Sequence, residues 1–234
     1  MKSYTIHLIR HGISQGNLLG QYIGVTDSPL SEEGKEQLKQ LAEQNSYPYA
    51  QAYYTSPLSR CVDSLKLIYP NAEPIVIEGF KECNFGKWEG KSAKDLEHDP
   101  DFVQWMESGS TMSPPEGEDG GHFMHRVCME FETFVERMMR TGETSAVLMV
   151  HGGTIMSILS AYGLPRAPFY DWMVEPGHGY SLRITPGLWM RSMVAEVYDT
   201  IPSRAQRQNR EHTVIDYARE AANRAFGDKE ETDS

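Results

Sequence analysis

The chain predicts an α/β sandwich built on a mostly parallel sheet. Two observations carry this. Short apolar runs rich in strand formers alternate with segments of helical periodicity, the pattern of a sheet with crossover helices. The run Ser145 to Val150 is almost purely apolar, as a central strand covered on both faces must be.

The elements follow in order. Tyr4 to Ile9 alternates loosely and reads as a buried first strand. Ser31 to Gln44 reads as a helix: Ser31 suits the N-cap, Glu32 and Glu33 suit the positive first turn, and Leu38, Leu41 and Ala42 share a face. Ala50 to Tyr54 is a short strand, Leu58 to Tyr69 a helix stopped by Pro70, and Pro74 to Ile77 another strand. Gly121 to Arg140 is a long helix with Phe123, Val127, Phe131, Phe134, Val135 and Met138 as its apolar stripe. After the central strand, Gly153 to Tyr162 is helical, and Gly179 to Ile184 with Leu188 to Val194 reads as a hairpin around Pro186-Gly187. Two segments break the rhythm. Residues 91–120 lie between strand and helix, and residues 200–234 follow the last strand, with a helical pattern at 211–226 and an acidic, fraying end from Asp228.

The length of 234 residues is enough for one large domain with additions, and a 39% hydrophobic, 24% charged composition is globular. Against 22 Lys+Arg stand 33 Asp+Glu, a formal charge of −11, which argues against nucleic-acid and anionic-membrane partners. It leaves room for a small anion, because a few cations in a pocket outvote net charge locally. The start of the chain is too short and interrupted in its apolar run for a signal peptide, and no run approaches the ~20 residues of a membrane span. Three cysteines, Cys61, Cys83 and Cys128, form no CxxC pair, so neither a disulfide framework nor a four-cysteine zinc site is supported, and a cytoplasmic, reducing compartment is the simplest expectation.

Chemistry concentrates where strands end. In an open α/β sheet, ligands bind beyond the carboxyl ends of the strands. The first strand runs into Arg10-His11-Gly12, and the central one into His151-Gly152-Gly153 and a helix. Glycine admits close backbone approach, and the helix start offers N–H groups to an anion.

These pieces join others in order: Leu8-Ile9-Arg10-His11-Gly12-Ile13-Ser14-Gln15-Gly16-Asn17, then Gly24 to Gly34, Thr55-Ser56-Pro57-Leu58-Ser59-Arg60-Cys61, Lys81-Glu82-Cys83-Asn84-Phe85-Gly86-Lys87-Trp88-Glu89-Gly90, and Val150 to Gly153. The series resembles the histidine phosphatase superfamily, the phosphoglycerate-mutase-like proteins. The resemblance implies a three-layer α/β/α sandwich and a catalytic domain over 1–199, with 91–120 as a cap-like insertion and 200–234 as an extension. It implies His11 as a nucleophile that becomes phosphohistidine. Arg10, Arg60 and His151 would hold the phosphoryl oxygens, with Asn17, Ser14, Gly24 and Gly152 contributing to the phosphate and substrate site. Glu82 would be the general acid and then base; Glu78 and Glu89 are nearby carboxylates, and the family's spacing of three residues before Phe-Gly selects Glu82.

Residue chemistry suits these roles. Imidazole is neutral and nucleophilic near neutral pH, guanidinium forks suit phosphoryl oxygens, and an alkoxide leaving group needs a proton. No metal and no cofactor is expected. The block Phe85 to Gly90 looks like the phosphatase branch, which includes the alpha-ribazole and broad-specificity phosphatases; the mutase branch has Tyr-Gly-x-Leu-Gln-Gly there. Residues 91–120 carry only Lys91 and Lys94 as cations, against several carboxylates. Hydrolysis of a small phosphorylated substrate is therefore expected. Mutase-type transfer and a phosphate-binding relative without turnover are the alternatives, and oligomeric state is not readable. Ser14, Cys61, Ser64 and Asp119 depart from the commoner Thr, Ala, Thr and Ser. Phe102, Trp105, Met106 and Met112 either line the entrance or form a small satellite core.

Overall fold

The computed structural model describes residues 2–107 and 112–204. The helical pattern at 211–226 and the acidic end lie outside the described residues. Residues Met1–Ser203 form one compact unit.

Strand β1 (Tyr4–Arg10) leads to a single helical turn, α1 (Gln15–Leu18), then helix α2 (Glu32–Gln44) and strand β2 (Ala52–Thr55). Helix α3 (Ser59–Ile68), the edge strand β3 (Ile75–Val76), and helices α4 (Pro100–Glu107) and α5 (Gly120–Thr141) follow. The central strand β4 (Ser145–Val150) feeds α6 (Gly152–Tyr162) and the two-residue β5 (Gly163–Leu164). Strand β6 (Gly179–Ile184), helix α7 (Pro186–Ser192) and strand β7 (Ala195–Ile201) close the unit. The last strand of the seven-stranded sheet ends at Ile201.

The seven strands lie in the order β3-β2-β4-β1-β6-β7-β5. β3, β2, β4 and β1 are mutually parallel, and β6 runs antiparallel to both β1 and β7. Period-two alternation sends side chains to two layers. Ile6, Leu8, Ala146, Leu148 and Val150 pack with Val127, Phe131 and Phe134 of α5 and with Ile155, Ile158 and Leu159 of α6. Ile9, Val147 and Met149 face the other way, onto Cys61 and Leu65 of α3 and the partly buried Leu41 and Ala42 of α2. This is the three-layer sandwich, and it explains why β4 has no polar face.

The hairpin expected at 188–194 is corrected. Pro186 opens a helix rather than a turn, since proline suits a first helical turn as well as it suits a bend. Trp189 buries that helix against Phe131 and Tyr162, and Met193 ends it in the left-handed region at φ 49°. Only then does β7 begin. The 91–120 segment supplies α4, and its Leu96 and Phe102 join Trp88 in a satellite core flanked by Tyr22, Phe85 and Trp105. Among the described residues no helix is long and apolar enough to cross a membrane.

Candidate active site

Arg10 pairs in register with Val150, so β1 and β4 end side by side. His11 and His151 therefore emerge together, their ring centroids 5.1 Å apart and edge to face. Both are buried; His11 lines a cleft of about 390 Å³, whereas His151 and Arg60 stand behind its lining, each in contact with His11.

The His11 ring has a defined tautomer. Its Nδ1 lies 2.6 Å from the Gly12 carbonyl oxygen. A carbonyl only accepts, so Nδ1 carries the proton and Nε2 carries the lone pair. Arg60 Nε donates to that Nε2 at 3.3 Å. Burial, then the charge of Arg60, pull the His11 pKa down to about 3, with Arg10 adding to the effect and the Gly12 bond opposing it. The ring is neutral at any physiological pH. His151 is held well below its ordinary value as well, by burial first and then by His11, Arg60 and Arg10. Its Nε2 is 2.8 Å from Ser56 Oγ. The positive charge of the site thus comes from two guanidiniums and not from the imidazoles.

Arg60 sits in the first turn of α3, buried, with Nη1 donating to Thr26 O at 2.9 Å and Nη2 to Gly24 O at 2.6 Å. Three of a guanidinium's five N–H groups are so used, and two remain. The start of α3 has no cap from its own N-cap residue; Asp27 supplies one, accepting from Ser59 N and Oγ at 2.8 and 2.7 Å. Arg10 lines the cleft and donates from Nη1 to Val174 O at 2.6 Å, while its buried Nε has no hydrogen-bond partner among the described residues. A buried, cleft-side donor of this kind suits an anionic oxygen.

Glu82 lines the same cleft. Its Oε1 accepts from Cys83 N at 2.9 Å and its Oε2 from Gly153 N at 3.0 Å, in the first turn of α6. Burial raises its pKa; the two N–H bonds and then Arg60 and Arg10 work against that rise. A Cβ on Gly153 would lie 2.4 Å from Glu82 Oε1, so glycine is what allows the carboxylate to reach the helix N-terminus.

Glu89, the rival carboxylate in the sequence, is elsewhere. It accepts from the N–H groups of Gly24, Val25, Thr26 and Phe85 at 2.9 to 3.1 Å. With its oxygens committed to backbone it ties the 24–26 loop, whose carbonyls hold Arg60, to the loop bearing Glu82. Glu78 is paired with Lys81 on the surface.

The substrate-site candidates divide. Asn17 and Gly152 line the cleft. Ser14 and Gly24 do not. Ser14 caps α1 in a reciprocal box, accepting from Asn17 N at 3.3 Å while its own N–H donates to Asn17 Oδ1 at 3.1 Å. Gly24 supplies the carbonyl for Arg60, and a Cβ there would lie 1.6 Å from the Cys83 carbonyl. Ser64 Oγ accepts from Gly12 N at 2.9 Å, fixing the backbone beside His11, and Asp119 caps α5 by accepting from His122 N. Trp105 lines the cleft, while Phe102 belongs to the satellite core and Met106 and Met112 are exposed.

Residues 6–196 match the family model of the histidine phosphatase superfamily, branch 1. The chain belongs to this superfamily. Over 186 residues it is 26% identical to the adenosylcobalamin/alpha-ribazole phosphatase of Salmonella typhimurium, covering 77% of this chain and 90% of that one. Over 190 residues it is 25% identical to the 2,3-bisphosphoglycerate-dependent phosphoglycerate mutase of Bifidobacterium longum, covering 67% and 76%. The solved structure of the alpha-ribazole phosphatase from Shigella flexneri shares the fold, with a TM-score of 0.71 at 24% identity over 88% of this histidine phosphatase and 100% of that chain.

Sequence reasoning missed Glu118, which lines the cleft, and its partner Arg126, which does not. Arg126 sits on α5 and forms a forked pair with Glu118, Nε to Oε1 at 3.0 Å and Nη2 to Oε2 at 2.8 Å. The departure at Gly117-Glu118-Asp119 was the available signal, since it marked the segment without showing what the glutamate touches.

Proposed function

We propose that this histidine phosphatase hydrolyses small phosphomonoesters through a phosphohistidine on His11. The observation that carries the reading is the fixed lone pair on His11 Nε2, held beside Arg60 Nε with Nδ1–H committed to Gly12 O. In the first step the hydrogen bond of Arg60 Nε–H passes from His11 Nε2 to a phosphoryl oxygen, and the freed Nε2 lone pair attacks phosphorus. The P–N bond forms, the P–O bond to the leaving group breaks, and Glu82 gives its proton to the departing oxygen. In the second step Glu82 takes a proton from water, the water oxygen bonds phosphorus, the P–N bond breaks, and phosphate leaves. Arg10, Arg60 and neutral His151 hold the equatorial oxygens, where charge spreads in a loose transition state. Asn17 and the N–H groups at the start of α6 complete the phosphate site. The raised pKa of Glu82 suits a group that must start protonated.

Hydrolysis is favoured over mutase-type transfer by what surrounds that floor. Among the described residues lining the cleft, Arg10 is the one Lys or Arg. The walls are Tyr22, Phe85, Trp105, Phe123 and Tyr170, with Glu82 and Glu118 as the carboxylates. A second anionic group, as on a bisphosphoglycerate, would meet aromatic faces and negative charge. A substrate with one phosphate and an uncharged or ring-bearing alcohol fits better. The excess of acidic residues repels long polyanions while the two guanidiniums draw a compact phosphate ester. Free cysteines without a CxxC pair fit a cytoplasmic setting.

The test is incubation with 3-phosphoglycerate plus 2,3-bisphosphoglycerate, alongside a panel of sugar, nucleoside and aryl phosphates. Release of inorganic phosphate with negligible 2-phosphoglycerate is expected. Efficient isomerisation would overturn the choice of hydrolysis.

A further inference from the structure

Arg126 lies outside every motif that carries the family resemblance, yet its guanidinium is saturated. Besides its two bonds to Glu118, Nη1 donates to Gly79 O at 2.8 Å and Lys81 O at 3.1 Å, and Nη2 makes a longer contact with Glu82 O at 3.4 Å. All five donors of the fork are engaged. Three go to carbonyls of the segment that ends in Glu82, those of Gly79, Lys81 and Glu82.

That segment cannot hold its own shape. A 3₁₀ turn covers Glu78–Phe80, and residues 81–85 belong to neither helix nor strand. Its carbonyls have no ladder to join, and partly buried carbonyls must find donors. Arg126 supplies them from one rigid plane on a long helix. Glu118 secures the other side. Its N–H donates to Asn84 O at 2.8 Å, its carbonyl oxygen accepts from Cys83 Sγ at 3.6 Å, and its carboxylate balances the guanidinium. Residues 79–84 are thus stitched to α5 and to the loop before it, on both sides of Glu82.

We infer that Arg126 and Glu118 are positioning residues that set where the Glu82 carboxyl stands relative to the leaving oxygen. The inference rests on the reading of Glu82 as the proton donor. A donor works within hydrogen-bond reach, and a misplacement of about 1 Å costs on the order of 100-fold. Neither residue is needed to hold the phosphoryl group, so their loss should be felt in proportion to the leaving group's need for a proton.

The experiment compares Arg126→Lys and Glu118→Gln with the unaltered protein on two esters, 4-nitrophenyl phosphate and 2-phenylethyl phosphate. Lysine keeps the charge and loses the fork. The glutamine variant leaves Arg126 in place if the lysine variant does not fold. For each, melting temperature, kcat on both esters and the pH profile on the alkyl ester are measured. We expect kcat on the alkyl ester to fall by about 30- to 100-fold, kcat on the aryl ester to change by less than about fivefold, and the alkaline limb of the profile to move. Equal loss on both esters, or full activity on both in a folded variant, would overturn the inference. Glu82→Gln is run in parallel. If that variant shows no difference between the two esters, the assignment of Glu82 itself has failed; if it does and the clamp variants do not, only the clamp has.

Discussion

Gly153→Ala separates the position of the acid from the stability of the fold. The new Cβ would lie 2.4 Å from Glu82 Oε1 and 3.1 Å from Cδ, where ordinary contact begins at 3.4 Å. The carboxylate is the end of a flexible side chain, so it yields, by about 1 Å, and its bond to Gly153 N is strained or lost. A displacement of that size is worth about 100-fold in rate, or about 2.7 kcal/mol on the barrier. Stability moves little. Alanine is favoured over glycine in a helix by up to about 1 kcal/mol, which offsets part of the weakened hydrogen bond, itself worth about 1 to 3 kcal/mol. The assay is kcat on an alkyl and an aryl phosphate, with thermal unfolding alongside. The expected result is a loss of about 100-fold on the alkyl ester, less than about tenfold on the aryl ester, and a melting temperature within a few degrees. Wild-type turnover of the alkyl ester by a folded variant would refute the placement of Glu82 as proton donor.

Three more outcomes follow from the same geometry. Glu89→Gln puts an amide N–H against backbone donors in a knot of four N–H groups, so stability should fall by about 2 to 4 kcal/mol in urea unfolding, with weaker phosphate binding as the Arg60 carbonyls shift; a neutral effect would contradict the knot. Trp105→Ala should raise KM about tenfold for ring-bearing esters and leave glycerol phosphate unchanged, whereas an unaltered ranking with a lower melting temperature would confine Trp105 to the satellite core. Acid should destabilise the fold early. His7, His11 and His151 are neutral in the folded protein, with His7 near 4 and His11 near 3, while the unfolded chain takes protons below about pH 6.5. Their contribution is therefore present at neutral pH and lost as pH falls, by up to about 1.4 kcal/mol per pH unit for each. Glu82, raised in the fold, opposes this by at most one proton. Urea midpoints that stay flat from pH 6.5 to 5 would contradict the burial of these imidazoles as neutral rings.

Much of this was legible in the sequence because it is local. The strand at 4–10, the apolar strand at 145–150 and the stripe of α5 are written in periodicity. His11, Arg60, Glu82 and His151 stand within short recognisable blocks, and the structure brings all four to the same ends of β1 and β4. What was hidden depends on contacts distant along the chain. Arg126 reads as one more polar residue on an amphipathic helix, yet the carbonyl of Gly79 that it holds is 47 residues away. Glu89 and Glu82 are equivalent in composition and proximity, and only the fold separates a carboxylate knotted into backbone from one facing a cleft. Pro186 shows the limit of local chemistry, since proline starts helices as well as turns and Trp189 finding a place against Phe131 decided the matter.

The formal charge of −11 takes on a local meaning beside the buried Arg60 and the half-buried Arg10. A protein that is acidic as a whole can do anion chemistry where Arg10 and Arg60 outweigh one carboxyl that burial keeps reluctant to ionise. The central claim is the covalent step, and rapid quenching of the enzyme with a labelled phosphate ester tests it most directly. Label is expected on His11 Nε2, labile in acid and stable in alkali, appearing and decaying at the rate of turnover and absent in His11→Ala. Turnover with no label on any histidine, or a label that persists in His11→Ala, would contradict it.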